Sequence, residues 1–151
     1  EALSRIEGVF AHPPRSGVES AVLFCDVDEF KTINDMRGHA AGDTVLATIA
    51  ERIASSVRDS DVVGRIGGDE ILVMLAGVHS LEQAVSLGEK IRRAVSRPIA
   101  LPDGGSLTPT VSVGVTLVAD DDTVDSAIAR ADAAMYAAKQ SGKDQVVTVD
   151  E

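Results

Sequence analysis

The middle of the chain reads Val62-Val63-Gly64-Arg65-Ile66-Gly67-Gly68-Asp69-Glu70-Ile71-Leu72-Val73-Met74-Leu75. Two glycines between β-branched runs predict a tight hairpin turn, because glycine adopts positive φ without steric cost. The predicted arms cover residues 61–66 and 71–75, and Asp69 and Glu70 follow the turn directly. Since Gly67 and Gly68 let a ligand approach the backbone, a hairpin with acids at its tip suits a metal ion and a polyphosphate.

The segments outside this hairpin alternate between helical and extended patterns. Apolar runs and β-branched alternation predict a buried central strand over 21–27, a strand over 110–118 and a last strand over 146–149. Helical periodicity and capping signals predict helices over 1–10, 29–36, 80–96 and 122–141, the last closed by Gly142. A further helix is predicted after residue 36, with Asp43 as its N-cap. This order predicts an α/β (α+β) fold, a ferredoxin-like mixed sheet of about five strands with a central hairpin, covered by helices.

Composition limits the classes of function. A chain of 151 residues, 44% hydrophobic and 3% aromatic, is expected to form a single domain over 1–151 with an aliphatic core. The formal net charge of -10 argues against a nucleic-acid surface, which needs a basic patch. It leaves a nucleotide ligand open, because a few lysines and a divalent metal neutralise phosphates. The only cysteine, Cys25, allows no intrachain disulfide and lies in an apolar run, which indicates a buried thiol.

The sequence also bears on location. No apolar stretch approaches the roughly 18 residues of a membrane span, so we expect no membrane contact by this piece. The chain begins at Glu1 without an initiator Met, and we expect it to be part of a longer protein whose upstream regulatory part is absent. The expected location is the cytoplasm, with a membrane anchor elsewhere in the full-length protein left open.

Acids at two points along the chain predict a metal site. Asp26 ends an otherwise apolar strand, where a carboxylate is costly unless it is paired or bound to metal. In a ferredoxin-like sheet this strand lies beside the hairpin, which brings Asp26 near Asp69 and Glu70. Together with the carbonyl of Val27 these acids make a hard-oxygen site suited to Mg²⁺ or Mn²⁺. The alternative is a solvated cluster at the strand ends.

Five further polar residues have both a binding and a structural interpretation. Lys31 begins a helix, where backbone amides and a lysine attract phosphate. Asn34 and Asp43 offer the donors and acceptors that fit a guanine edge, although a surface residue and a helix cap are the plainer interpretations. Lys139 and Lys143 flank Gly142, where cations favourably meet a helix C-terminus.

Several motifs in this order resemble the GGDEF family of diguanylate cyclases, and the match covers nearly the whole chain. They are Phe24-Cys25-Asp26-Val27-Asp28-Glu29-Phe30-Lys31-Thr32-Ile33-Asn34-Asp35, Gly38-His39, Gly42-Asp43, Arg65-Ile66-Gly67-Gly68-Asp69-Glu70, Ser112-Val113-Gly114-Val115 and Ala131-Asp132-Ala133-Ala134-Met135-Tyr136-Ala137-Ala138-Lys139. The resemblance implies a nucleotidyl-cyclase-like fold and an enzyme that condenses two GTP into cyclic di-GMP and two pyrophosphates. In that family two domains, each holding one GTP, meet face to face, so a second GGDEF domain in a homodimer is the expected partner.

The resemblance also implies residue roles. Asp26 and Glu70, with the carbonyl of Val27, would hold Mg²⁺ or Mn²⁺. Asp69 would lie near the attacking 3'-hydroxyl, which makes Asp26, Asp69 and Glu70 the expected catalytic group. The other implied roles are the guanine contacts Asn34 and Asp43, the phosphate contacts Lys31, Lys139 and Lys143, and the turn over the substrate, Gly67 and Gly68. This chemistry fits two-metal phosphoryl transfer.

A second site is implied by Arg58-Asp59-Ser60-Asp61, which has the Arg-x-x-Asp spacing of the family's inhibitory product site. Arg58 can fork onto a phosphate or guanine, and Asp61 can accept from a guanine edge. The resemblance therefore implies feedback inhibition by bound cyclic di-GMP. A bare Arg-x-x-Asp is a weak pattern, and its position shortly before the hairpin strengthens it.

Besides the N-terminal stretch over residues 1–9, which matches the family pattern only loosely, three residues depart from it. Ile71 stands where Phe is usual, Lys143 where Arg is common, and Asp144 where Asn is common. A large apolar replacement at position 71 is compatible with packing, whereas Lys143 loses the bidentate fork of arginine. Two hypotheses remain: an active diguanylate cyclase, or a catalytically weak or inactive regulatory module that binds cyclic di-GMP or GTP.

Overall fold

The computed structural model describes residues 19–149, so the helix predicted over 1–10 lies outside the described residues. Within 19–149 the chain forms seven strands and four helices. The strands are β1 (Glu19–Val27), β2 (Val62–Arg65), β3 (Glu70–Val78), β4 (Ile99–Ala100), β5 (Ser106–Leu107), β6 (Val111–Leu117) and β7 (Val146–Thr148). The helices are α1 (Phe30–Arg37), α2 (His39–Ala54), α3 (Leu81–Val95) and α4 (Val124–Gln140).

The main sheet has five strands in the order β2-β3-β1-β6-β7. β1 is central and antiparallel to both β3 and β6, whereas β7 is parallel to β6. This confirms the predicted ferredoxin-like mixed sheet with the first strand beside the hairpin. The hairpin itself extends to one side, with β3 next to β1 and β2 at the edge. A small β4–β5 hairpin, with Gly104 at positive φ in its turn, was not expected.

Buried side chains lie on both faces of the sheet because β1 is apolar at nearly every position. Leu23 and Cys25 belong to the larger core, under α2 and α3, while Val22 and Phe24 belong to a smaller core under α4. A strand covered on both faces reads as a continuous apolar run, as this one does. Burial raises the pKa of the Cys25 thiol to about 12, in agreement with the predicted buried cysteine.

No helix within 19–149 is both long and apolar enough to cross a bilayer.

The prediction that Asp43 caps a helix is wrong. Helix α2 begins at His39, and its N-cap is Gly38, whose φ of 89° is a conformation that glycine adopts readily. The chain reverses at this one residue, so α2 starts directly after α1 ends at Arg37. Asp43 therefore lies within α2 as an exposed helical residue, and its side chain is available for other contacts.

Helix α4 packs unusually close to the sheet at Gly114. A Cβ on Gly114 would lie 2.1 Å from the carbonyl oxygen of Ala131 and 2.2 Å from the backbone nitrogen of Met135. The small residues of α4 that face the sheet, Ala127, Ala131, Ala134 and Ala138, are fully buried. This close approach sets the distance of α4 from β6 and so the place where Lys139, in the last turn of α4, meets the end of β1.

Candidate active site

The acids of β1 and of the hairpin meet at one end of the sheet. Asp26 and Glu70 are directly opposite each other in the β1–β3 register. The N–H of Val27 donates to the carbonyl oxygen of Asp69 at 3.1 Å, which ties the hairpin loop to the end of β1. The structure thus confirms that Asp26, Asp69 and Glu70 lie close together, as expected from the ferredoxin-like strand order.

The turn glycines do not have the backbone conformation predicted for them. Neither Gly67 nor Gly68 has positive φ, so the conformational reason given for them is wrong. A Cβ on Gly67 would instead lie 2.4 Å from Oε1 of Glu70, and Gly68 has open space around it. The Arg65 guanidinium donates to the carbonyl oxygens of both glycines, at 3.0 and 2.8 Å, and braces the loop. Glycine at 67 therefore makes room for the Glu70 carboxylate.

A lysine ammonium lies among the oxygens predicted to bind metal. Nζ of Lys139 is 2.9 Å from Asp26 Oδ1, 2.9 Å from Asp28 Oδ1 and 3.4 Å from the carbonyl oxygen of Val27. Within residues 19–149 no three His, Cys, Asp or Glu side chains converge as a metal-binding group. The donors that do converge are carboxylates and a carbonyl around a cation, and hard oxygens of this kind are the ligands that Mg²⁺ and Mn²⁺ prefer. The residues present therefore fit such an ion.

Burial and the closeness of the acids to one another raise the pKa values of Asp26 and Glu70. Burial raises the pKa of Asp26 to about 6, and Asp69 and Glu70 add to this rise against the opposing effect of Lys139. The pKa of Glu70 is also raised, by burial first and then by the charges of Asp69 and Asp132. Clustered carboxylates disfavour one another's ionised forms, so this end of the sheet attracts a cation.

Asp28 is a site residue that the sequence analysis did not single out. Its buried carboxylate accepts hydrogen bonds from Thr110 Oγ1 and Ser112 Oγ, both at 2.7 Å, from Lys139 Nζ, and from the backbone N–H of Asp144 at 3.0 Å. Although burial alone raises the pKa of Asp28, these hydrogen bonds outweigh it and keep the pKa below its ordinary value. Its position two residues after Asp26, one residue beyond the end of β1, was the signal that could have found it, because residues two apart in an extended chain lie on the same side.

Asn34 packs against the first turn of α2, one residue from Asp43. A Cβ on Gly42 would lie 1.8 Å from Asn34 Oδ1, so the glycine makes the room that the amide occupies. Asn34 is half-buried and Asp43 is exposed. The α1–α2 reversal at Gly38 brings Asn34 against Gly42, the residue before Asp43, so the two predicted guanine contacts lie on adjoining helices.

The predicted phosphate contacts lie in different surroundings. Lys31 is exposed in the first turn of α1. Lys143 pairs with Glu29, and this ion pair lowers the pKa of Glu29. Lys139 is half-buried among carboxylates, so phosphate binding would require it to exchange partners. All three belong to segments adjoining the end of β1, since Lys31 and Glu29 directly follow that strand.

Asp61 of the predicted second site is already engaged within the chain. Its buried carboxylate accepts the backbone N–H of Arg58 on Oδ2 and the backbone N–H of Ala76 on Oδ1, both at 2.9 Å. The Arg58 side chain is exposed and donates to the carbonyl oxygen of Gly77 at 2.8 Å. Asp61 thus fixes the turn that presents Arg58 at the surface.

A groove of about 1020 Å³ lies between α2 and α3. Its charged lining residues are Glu51, Arg52, Lys90, Arg93 and Arg97, four cations against one acid in a chain of net charge -10. The Arg52 guanidinium donates hydrogen bonds to the carbonyl oxygens of Val95, Arg97 and Pro98, at and just beyond the end of α3. Ser55 and Ser56 at the other end of the lining lead directly to the turn that carries Arg58.

Ile71, the departure closest to the acids, is a core residue. Its side chain is fully buried in the larger core, and it pairs with Cys25 in the β1–β3 register. It points away from the face on which Glu70 lies, because neighbouring strand residues alternate. Residue 71 therefore contributes to the packing of the core and not to the cluster of acids.

The family model described as "Diguanylate cyclase, GGDEF domain" matches residues 3–145. Diguanylate cyclase TpbB of Pseudomonas aeruginosa is 44% identical over 124 residues, which are 82% of this chain and 28% of TpbB. Cyclic di-GMP phosphodiesterase NbdA of the same species is 42% identical over 124 residues, 82% of this chain and 16% of NbdA. The chain thus spans about a quarter or less of the length of these two relatives.

Solved structures give the same picture. The crystal structure of the GGDEF domain of TpbB (also called YfiN) from P. aeruginosa superimposes with a TM-score of 0.91 and 38% identity, over 98% of this chain and 92% of that one. The GGDEF domain of DgcB from Caulobacter crescentus, solved in complex with c-di-GMP, gives a TM-score of 0.88 and 27% identity, over 96% and 86% of the two chains.

Proposed function

This chain belongs to the GGDEF-domain family of diguanylate cyclases, and from that premise we propose that it condenses two GTP molecules into cyclic di-GMP and two pyrophosphates. The observation that carries the proposal is the register pair of Asp26 and Glu70, with the Val27 carbonyl and a lysine ammonium beside it. A cation already lies among oxygens at the point where phosphoryl transfer would need one.

Asp26, Glu70 and the carbonyl of Val27 would hold Mg²⁺ or Mn²⁺. A divalent ion bound there supplies charge neutralisation for the attacking and leaving oxygens of the transfer. Gly67 leaves the space in which the Glu70 carboxylate sits. Lys139 would leave Asp26 and turn to a phosphate oxygen, while Asp28, with its other hydrogen bonds, keeps the end of β1 in place.

The remaining residues orient GTP. Asn34 accepts and donates to the guanine edge, and Asp43 accepts from its amine and ring N–H. Lys31 and Lys143 would hold the phosphates with Lys139, and the exposed backbone at Gly68 lets the nucleotide approach closely. Asp69, on the hairpin loop, would lie near the attacking 3'-hydroxyl and take part in its deprotonation or in metal binding.

One such site holds one GTP, so catalysis requires a second domain. We propose a homodimer in which each 3'-hydroxyl attacks the α-phosphorus of the GTP held by the partner. Because the acids and lysines open at one end of the sheet, two copies can face each other there. We place the domain in the cytoplasm, where GTP is available.

Product inhibition is part of the proposal. The support is the exposed Arg58, the positively lined groove beside its turn, and the c-di-GMP complex of DgcB. Arg58 would bind a phosphate or guanine of cyclic di-GMP. Asp61, whose oxygens already accept two backbone N–H groups, would hold the turn and accept from guanine with its remaining lone pairs.

The second candidate is a regulatory GGDEF module that binds cyclic di-GMP or GTP without turnover. The match to the phosphodiesterase NbdA favours it, as do Lys143 and Asp144 in place of the usual residues. Both candidates need the same nucleotide contacts. They differ in whether Asp26 and Glu70 support turnover.

The deciding experiment measures cyclic di-GMP formation. The 151-residue chain carrying Arg58→Ala is fused to a dimerising zipper and incubated with GTP and Mg²⁺ or Mn²⁺, and the product is separated chromatographically. We expect cyclic di-GMP, its loss in Glu70→Gln, and its retention in the exposed control Glu82→Gln. No product from the zipper-fused chain, with GTP still bound in calorimetry, would establish the regulatory module instead.

A further inference from the structure

The turn after α4 has an uncommon backbone. Gly142, Lys143 and Asp144 follow one another with φ values of 115°, 64° and 46°. Glycine adopts such values freely, whereas a lysine does so at an energetic cost and aspartate at a smaller one. Non-glycine residues keep this conformation only where their surroundings hold them in it, and they cluster at functional sites.

The contacts that hold the turn come from three directions. The N–H of Lys143 donates to the carbonyl oxygen of Ala138 at 2.9 Å, which closes α4. The N–H of Asp144 donates to Oδ2 of the buried Asp28 at 3.0 Å. The same Asp28 carboxylate binds Nζ of Lys139 through Oδ1. The conformation of residues 143 and 144 is therefore coupled through these contacts to the end of β1 and to the positions of Lys139 and Lys143.

Arg92 supplies the third contact from α3. Its Nη1 is 2.9 Å from Oδ1 of Asp144, and its Nη2 is 3.0 Å from Oε2 of Glu89 on its own helix. The Arg92 side chain is 22% exposed and that of Asp144 is 44% exposed, so the pair itself adds little to global stability. It does, however, join two segments 52 residues apart at a strained turn.

We propose that Arg92 is a positioning residue for nucleotide binding, acting through Asp144 to hold the turn that carries Lys143. This inference rests on the proposed function and deepens it, since it adds a residue that touches no substrate. Asp144 replaces the asparagine common in the family, and its charge is what pairs with the guanidinium. Without that pair, fewer molecules have the left-handed turn that binds GTP, and the apparent affinity for GTP falls in proportion to the binding-competent fraction.

The positioning role predicts a particular pattern among variants. Arg92→Met and Asp144→Asn should each weaken binding of a non-hydrolysable GTP analogue with Mg²⁺ about fivefold. Asparagine is chosen at 144 because it tolerates positive φ as well as aspartate does, so only the charge is removed. The double variant should be no weaker than either single variant, because both remove the same contact. Arg92→Lys should recover part of the affinity.

The matched control is Glu89→Gln, which removes the other carboxylate of Arg92 and leaves the Asp144 pair intact. We expect its affinity to equal that of the unchanged chain. Calorimetry measures the affinities, thermal unfolding checks folding, and initial rates separate KM for GTP, expected to rise, from kcat, expected to stay within about twofold. These readouts separate positioning of the nucleotide from a purely structural role.

Additive effects in the double variant, an equal loss in Glu89→Gln, or unchanged affinity in Arg92→Met would each overturn the inference while leaving the proposed function in place. A loss of thermal stability that parallels the loss of affinity would also overturn it, because the Arg92–Asp144 pair would then serve only to stabilise the fold. An unchanged chain that binds no GTP analogue would overturn the proposed function and this inference together.

Discussion

Asp26 of β1 and Glu70 of β3 stand opposite each other as a cross-strand pair of like charge at the open end of the central sheet. Like charges directly across an antiparallel pair destabilise the sheet. This protein keeps such a pair at the end of its central strand although the pair lowers the stability of the fold. The pair is therefore the strongest single indication of a cation site in this chain.

Neutralising this repulsion should stabilise the free protein. The pKa of Glu70 is raised in the folded chain, by burial first and then by Asp69 and Asp132. A carboxyl with a raised folded pKa disfavours the folded state once the pH exceeds its unfolded value, near 4.3. Glu70→Gln should therefore raise Tm by about 1–3 °C at pH 7 in EDTA, and the gain should vanish at pH 4.

Circular dichroism melts at the two pH values check this, with the exposed Glu82→Gln as the control for loss of a glutamate charge. The same Glu70→Gln protein should be inactive. A lower Tm than the unchanged chain at pH 7 would show that Glu70 contributes to folding and would contradict the account of the pair.

Gly42→Ala should weaken nucleotide binding without unfolding the chain. The added methyl would lie 1.8 Å from Asn34 Oδ1, so the amide must move out of the position it now occupies. Alanine is a better helix former than glycine by up to about 1 kcal/mol, which offsets part of the strain. We expect at least a tenfold loss of GTP affinity in calorimetry. In the Asn34→Ala background the same change should have little further effect, and a full additional loss there would contradict the proposed contact.

Gly114→Ala should destabilise the fold by about 3 kcal/mol, because the methyl group would meet backbone atoms that have no room to move. These are the carbonyl oxygen of Ala131 and the nitrogen of Met135, both within 2.2 Å. Urea denaturation measures the loss. Gly88→Ala is the matched control, since its methyl meets only side-chain carbons of Val146 and Val115, at 3.1 Å and beyond, and should change stability by about 1 kcal/mol or less. Equal effects would remove the special role of Gly114.

Substitutions of Arg58 and Asp61, the two residues of the proposed inhibitory site, should differ in their effect on the stability of the fold. Asp61→Ala removes the acceptor of two backbone N–H groups, those of Arg58 and Ala76, and should lower the free energy of unfolding by about 2 kcal/mol or more. Arg58→Ala should change stability by about 0.5 kcal/mol or less, since its side chain is exposed.

Both variants should bind cyclic di-GMP more weakly in calorimetry, and only Arg58→Ala should do so with an unchanged melting curve. Unchanged affinity in Arg58→Ala would remove the arginine from the site. A stable Asp61→Ala protein would show that the two backbone N–H groups find other acceptors.

Much of the fold follows from local pattern. The apolar run of β1, the β-branched arms of the hairpin and the helical periodicities are each set by neighbouring residues, and the order of elements selects the ferredoxin-like sheet. That topology alone places Asp26 beside Glu70. Boundaries were less certain where a single residue decides them, as at Gly38, whose positive φ starts α2 four residues before Asp43.

The sequence by itself determined the order of helices and strands along the chain, the fold class, the family and the acids at the end of the sheet, because periodicity and motif spacing are set by residues close together in the sequence. Only the tertiary structure decided the contacts of Asp28, Gly114 and Arg92. The side-chain partners of Asp28, which are Thr110, Ser112 and Lys139, lie 82 to 111 residues away. The backbone atoms that approach Gly114 belong to the next helix, and Asp144 lies 52 residues from Arg92. A pattern shows which face a residue occupies, whereas the group it meets there depends on how distant segments pack.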